Sequence, residues 1–198
     1  MRARSLIGHS AAKLADAGQL QPGDILVVSA RSAVMLALTW WVRLFQRGAR
    51  RFARWNHIAI YHHTDDVGVQ WAIEAAPGGV AWRKVADLGR CMTNADQPKT
   101  EDQRAMIAAG VASMLKLPYD WTAIEADAFR EIASSGVTWS MEWDGDRPPV
   151  HVICSSLASY WQWQAKLAGP HSWKTTPMEW AAFVDTRGWT TQAAAGVH

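Results

Sequence analysis

Two cysteines occur in the chain, and one of them, Cys154, stands in "HVICSSLASYWQW", where an apolar run gives way to helical spacing. A cysteine at the first turn of a helix meets unpaired main-chain N–H groups and the positive end of the helix dipole. Both stabilise a thiolate. The same N–H groups can hold the oxyanion of a tetrahedral intermediate. A cysteine in a helix also serves as an ordinary small core residue, so its chemistry depends on its neighbours.

A nucleophilic thiolate needs a base, and the base needs a third group to orient it. His57, in "WNHIAIYHH", is the base candidate. On an apolar strand segment an imidazole must find a partner or cost stability. Glu74, in "WAIEAAPGG", ends the next strand segment. Antiparallel strands can set its carboxylate against the imidazole, fixing the tautomer and supporting the imidazolium. Gln70, on the same face of that segment, is the alternative orienting residue. A satisfied structural histidine and a solvated strand-end acid are the plain readings of His57 and Glu74.

Other chemistries find less support. His62 and His63, with His57 and His151, show no standard zinc spacing, so no metal site is expected, and attack by a thiolate needs no organic cofactor. Ser155 and Ser156 lack the G-x-S-x-G setting of a serine hydrolase. Cys91, in "GRCMTN", has neither a helix start nor a base signal beside it and reads as structural.

These residues need elements to hold them. "LQPGDILVV" reads as a turn at Asp24 delivering a strand over about 25–29. "WNHIAIYHH" alternates His57, Ala59 and Tyr61 against Ile58 and Ile60. "TDDVG" suits a hairpin turn into "GVQWAIEAA", and "VAWRKVADL" follows "PGG" as a third strand. "TEDQRAMIAAGVASMLKL" is helical, with a capping box of Thr100 and Gln103 and a stripe of Ile107, Val111, Met114 and Leu115. "TAIEADAFREIASS" starts another helix, and Val137, Trp139, Met141 and Trp143 alternate as a short strand or extended loop. From Cys154 the spacing Leu157, Trp161, Gln164, Ala168 continues a helix to a stop at Gly169-Pro170. Thr176, Pro177 and Glu179 open a short final helix. A small antiparallel sheet in the middle of the chain, with helices before and after, is an α+β arrangement.

Composition narrows the function. A chain of 198 residues, 49% hydrophobic, is enough for one folded domain. Tryptophan is abundant, 13 copies against 3 Tyr and 4 Phe, and some of these rings should line a groove where their N–H finds a partner. A net charge of +2 gives no strong pull on nucleic acid. The local exception is "RLFQRGARRFAR" with Arg47, Arg50 and Arg51, after an uncharged run that is too short to span a bilayer. That segment is either an amphipathic helix resting on an anionic surface or a packed helix whose arginines complement its C-terminal dipole. The first residues, "MRARSLIGHSAAKLADAG", lack the apolar core of a standard secretory signal. Two cysteines make no disulfide framework, so both are expected as thiols made in a reducing cytoplasm.

Taken in order, "PGDILVV", "NHIAIY", "AIEAAPGGV", "LPYDW" and "VICSSLASYWQ" resemble the circularly permuted papain-like cysteine hydrolases of the NlpC type, including the YiiX-like group. Histidine precedes cysteine here, as in the permuted branch and the related lecithin:retinol acyltransferase-like enzymes. The resemblance spans roughly 20–177, with insertions at 31–54 and around 129–149. It implies a permuted papain-like fold in a single domain over 1–198. It makes Cys154 the nucleophile, His57 the general base and Glu74 the orienting residue. Tyr119 and Ser155 become the substrate-binding or oxyanion candidates. Asp24 matches the Gly-Asp of the first strand and reads as turn-forming.

The implied activity is a cysteine amidase or endopeptidase on peptidoglycan stem peptides. Without a standard signal, delivery to a cell envelope would need a dedicated export route, as for an injected antibacterial toxin with an inhibitor or immunity protein. The Arg47, Arg50 and Arg51 segment and the many tryptophans suit a second reading with the same triad, a lipid ester or thioester hydrolase or acyltransferase. A third is a non-catalytic binding module.

Overall fold

The computed structural model describes residues 9–16, 18–29, 52, 54–120, 152–170 and 175–189. The basic segment with Arg47, Arg50 and Arg51 lies outside these residues. So do the helix expected at "TAIEADAFREIASS", the Trp139 and Trp143 segment, and His151.

Alternation of apolar side chains builds the sheet. Its strands are β1 (His9–Ser10), β2 (Ile25–Val28), β3 (His57–Thr64), β4 (Gln70–Ala76), β5 (Gly79–Lys84) and β6 (Arg90–Thr93). Their order is β1-β6-β2-β3-β4-β5, with every neighbouring pair antiparallel. Among the described residues four helices accompany them: α1 (Ala11–Asp16), α2 (Glu101–Ser113), α3 (Cys154–Gln164) and α4 (Pro177–Arg187). The architecture is α+β.

The two faces of the sheet feed two cores. Ile58 and Ile60 of β3, with Ile25, Val27 and Ile73, pack against Ile107 and Val111 of α2, Leu157 of α3 and Trp180 of α4. Ala59 and Tyr61, with Leu26 and Val28, pack against Ala11 and Leu14 of α1. The split follows the two-residue period of β3.

The end signals hold as well. Thr100 and Gln103 cap α2 reciprocally, and Thr176 and Glu179 do the same for α4, with Pro177 in its first turn. Ile107, Val111 and Met114 are buried as the α2 stripe required, while Leu115 is half-buried.

Some boundaries differ from the sequence pattern. The helix from Cys154 ends at Gln164, ahead of Gly169-Pro170, because Lys166 turns to a left-handed φ of 54°. "VAWRKVADL" leaves the sheet after Lys84 and tightens into a single 3₁₀ turn, Val85–Asp87. The strand at "RCMT" has too few residues for alternation to show. It exists because β2 and β1 supply ladders on its two sides. With β1 and β2, the sheet also reaches beyond the middle of the chain.

Two close approaches fix the helices and loops over the sheet. A Cβ on Gly110 of α2 would lie 2.3 Å from the Trp161 ring, so only glycine lets that indole of α3 lie against the helix. At the head of β5, Gly79 has φ +106°, and a Cβ there would lie 2.6 Å from the Leu117 carbonyl oxygen. The Val80 N–H donates to that oxygen at 2.9 Å, and the Lys116 N–H donates to the Val80 carbonyl at 2.8 Å. This docking fixes the segment that carries Tyr119.

Asp24 does more than turn the chain. It accepts from the Gln21 N–H at 2.8 Å, from Lys99 Nζ at 2.7 Å and from Arg104 at 2.8 Å. Asp24 is fully buried, as is the Lys99 side chain. The pair ties the start of β2 to the entry of α2.

Gly79→Ala combines a disfavoured backbone region with a main-chain clash. It should lower unfolding free energy by about 2 kcal/mol, read as a reduced denaturant midpoint at unchanged slope. An unaltered midpoint would contradict the close approach.

Candidate active site

Glu74 lies between two strands whose directly facing residues are both alanine, Ala59 on β3 and Ala81 on β5. Small neighbours leave room above the sheet for the diagonal positions. His57 is two residues before Ala59, and Arg83 is two residues after Ala81, so they approach Glu74 from opposite ends of β4. His57 Nε2 lies 2.8 Å from Glu74 Oε2. Arg83 donates from Nε at 2.7 Å to the other oxygen, Oε1, and its Nη2 pairs with the same oxygen at 2.7 Å.

With Nε2 committed to Glu74, the second ring nitrogen is left for sulfur, and Cys154 is near enough for its charge to act strongly on the His57 ring. Cys154 opens α3. The preceding residue, Ile153, has no side chain that could cap the helix. Ser156 accepts from the Ile153 N–H at 3.0 Å and donates back to the Ile153 carbonyl at 3.0 Å. That exchange pins the approach to the helix and leaves its first turn without a side-chain cap.

Tyr119 reaches the same place by main-chain pairing. It bridges in parallel to Val152, two residues before Cys154. The Asp120 N–H donates to the Val152 carbonyl at 3.1 Å. The Gly79–Leu117 docking holds one side of this short ladder, and the lead into α3 forms the other.

The electrostatics follow from crowding charges in a buried place. Burial works against charge on His57. The Coulombic attraction and hydrogen bond of Cys154, and then those of Glu74, outweigh it and push the imidazolium up to about 10. Burial likewise works against a Glu74 carboxylate, but His57 and then Arg83 hold it below the usual range. Burial raises Tyr119, and the negative charges of Cys154 and Glu74 raise it further, so it stays a neutral hydroxyl. Because His57 in the folded protein titrates above its ordinary 6.5, its contribution to stability is complete below pH 6.5. That contribution is lost as pH rises through about 10.

Four of the five residues singled out from the sequence, Cys154, His57, Glu74 and Tyr119, therefore share one locality. The fifth, Ser155, stands in the first turn of α3 with its side chain fully enclosed, and its hydroxyl has no hydrogen-bond partner among the described residues. Gln70, the alternative orienting residue, bonds instead to Asp16 at 3.2 Å. His62 and His63 hydrogen-bond to each other through their Nδ1 atoms at 2.9 Å and pack edge-on against Trp82. Cys91 is fully buried, and burial pushes its thiol up to about 12. Among the described residues no group of three or more His, Cys, Asp or Glu side chains could hold a metal ion. Nor is any helix among them long and apolar enough to cross a membrane.

Arg83 is the member of the cluster that pattern reading did not find. In "VAWRKV" it looks like an ordinary strand charge. Its signal is parity, since it shares the face of Ala81 and therefore of Glu74.

Comparison with known protein families finds no match to this chain, and comparison with curated proteins finds none either.

Removing the sulfur removes the strongest influence that raises His57. In Cys154→Ala, the His57 ring should titrate by NMR lower than in the wild type by about one pH unit or more. A His57 titration left near the wild-type value would show that the thiol and the ring do not interact.

Proposed function

We propose that the protein is a cysteine hydrolase, with Cys154 as nucleophile, His57 as general acid and base, and Glu74 as the residue that orients the ring. The observation that supports this reading is the buried row of sulfur, imidazole and carboxylate at the uncapped start of α3. A structural cysteine needs no such row, as Cys91 illustrates.

The chemistry is acyl transfer through a thioester. The Cys154 thiolate attacks the carbonyl carbon, and the carbonyl π electrons move onto oxygen. Main-chain N–H groups at Cys154 and Ser155, with the neutral Tyr119 hydroxyl, are the donors for that oxyanion. The Ser155 hydroxyl is enclosed, so the contact from this residue is by its N–H. Collapse of the intermediate breaks the C–N bond, and the amine leaves with the proton from the His57 imidazolium. A water then attacks the thioester, His57 takes its proton, and the acid is released as sulfur regains its electron pair. Glu74 stays ionised throughout and holds Nε2.

The permuted, NlpC-type resemblance extends this reading to the substrate, an amide bond of peptidoglycan stem peptides. The chain order of His57, Glu74 and Cys154 agrees with the permuted branch. The lipid-directed reading draws on the segment with Arg47, Arg50 and Arg51, which lies outside the described residues.

Muropeptides incubated with the wild-type protein should show by mass spectrometry a new product pair, one with a free amine and one with a free acid. Cys154→Ala should form that pair at a rate lower by about a thousandfold or more. Muropeptides left intact by the wild type would reject the substrate. Cleavage undiminished in Cys154→Ala would reject the nucleophile.

A further inference from the structure

Glu74 is a buried carboxylate on a side chain with three rotatable bonds, and packing against Ala59 and Ala81 does little to orient it. Its direction is set by what it bonds. Arg83 places two nitrogens, Nε and Nη2, on the single oxygen Oε1. This occupies one oxygen and leaves Oε2 to His57 Nε2. Charge points the same way. The Cys154 thiolate that the proposed reaction requires, with an imidazolium at His57 and a carboxylate at Glu74, sums to one excess negative charge. Arg83, at the exposed end, makes the alternating row neutral.

We infer that Arg83 is a positioning residue of this site, whose guanidinium fork aims the Glu74 carboxylate at His57 and balances the charge of the row. The inference rests on reading Cys154, His57 and Glu74 as a catalytic set. Among the described residues three groups face Glu74 or interact with its charge: His57 from β3, Arg83 from β5, and Tyr119 from the segment docked on Gly79, while Cys154 acts on His57 and Tyr119. Of these only Arg83 is well exposed, at 48% of its side chain. Its replacement therefore leaves the core intact, and solvent screening keeps the effect of its charge moderate.

The test compares wild type, Arg83→Gln and Arg83→Lys. The reporter is the ¹⁵N signal of His57 Nε2, followed as the pH is lowered until Glu74 takes a proton. Arg83→Gln should lose the carboxylate-bound signal at a pH higher than wild type by about one unit. Arg83→Lys keeps the charge without the fork and should fall between the two. On the amide substrate, Arg83→Gln should lower kcat about tenfold with little change in KM, because the loss acts on His57 rather than on binding.

Coincident Nε2 titrations in wild type and Arg83→Gln would overturn the proposal. If Arg83→Gln does not fold, as judged by circular dichroism, Arg83→Lys decides alone, and its coincidence with wild type would likewise overturn it. The NMR comparison needs no turnover. Absence of hydrolysis by the wild type would count against the proposed function and leave the result for Arg83 standing.

Discussion

The buried carboxylate of Glu74 is the constraint on which the rest of the site depends. Left unpaired under the sheet surface, it would take up a proton or cost several kcal/mol in lost hydration. It remains ionised because one oxygen meets His57 and the other meets Arg83. In turn, the carboxylate sets which nitrogen of His57 faces Cys154. Removing one member of such a row leaves its neighbour buried without its counter-charge, at roughly 3–5 kcal/mol for a fully buried pair. The half-exposed Arg83 is the exception.

Three structural devices bring the row together. Antiparallel register across β3, β4 and β5 places His57 and Arg83 diagonal to Glu74, with alanines where bulk would block them. The start of α3 delivers the sulfur from a distant part of the chain. Main-chain contacts at Gly79, Leu117 and Val152 deliver Tyr119. The buried Asp24–Lys99 pair holds β2, and so the flank of β3, to the helical layer. Each of these contacts fixes a position within the site.

Much of this was legible in the residues. Alternation in "NHIAIY" separated the two faces of β3 correctly, and the caps at Thr100 and Thr176 marked α2 and α4. A helix beginning at Cys154 could be read from the change of period after Ile153. Its end could not, because the left-handed turn at Lys166 carries no glycine to announce it. The strand at Arg90–Thr93 was hidden because its stability comes from two neighbours rather than from its own pattern. Arg83 was hidden for a related reason. A strand arginine reads as a solvated charge until the register of β4 and β5 is known, and register is set by tertiary pairing. Asp24 was recognised as a turn former, but its buried partners, Lys99 and Arg104, come from far along the chain.

The central claim is that His57 activates the sulfur of Cys154, and alkylation tests it without reference to any substrate. Cys91 is fully buried and serves as an internal control. At neutral pH, iodoacetamide should modify Cys154 in the folded wild-type protein much faster than Cys91, and His57→Ala should slow that modification by about tenfold or more. Equal rates at Cys154 in wild type and His57→Ala, both protein samples folded, would contradict the account.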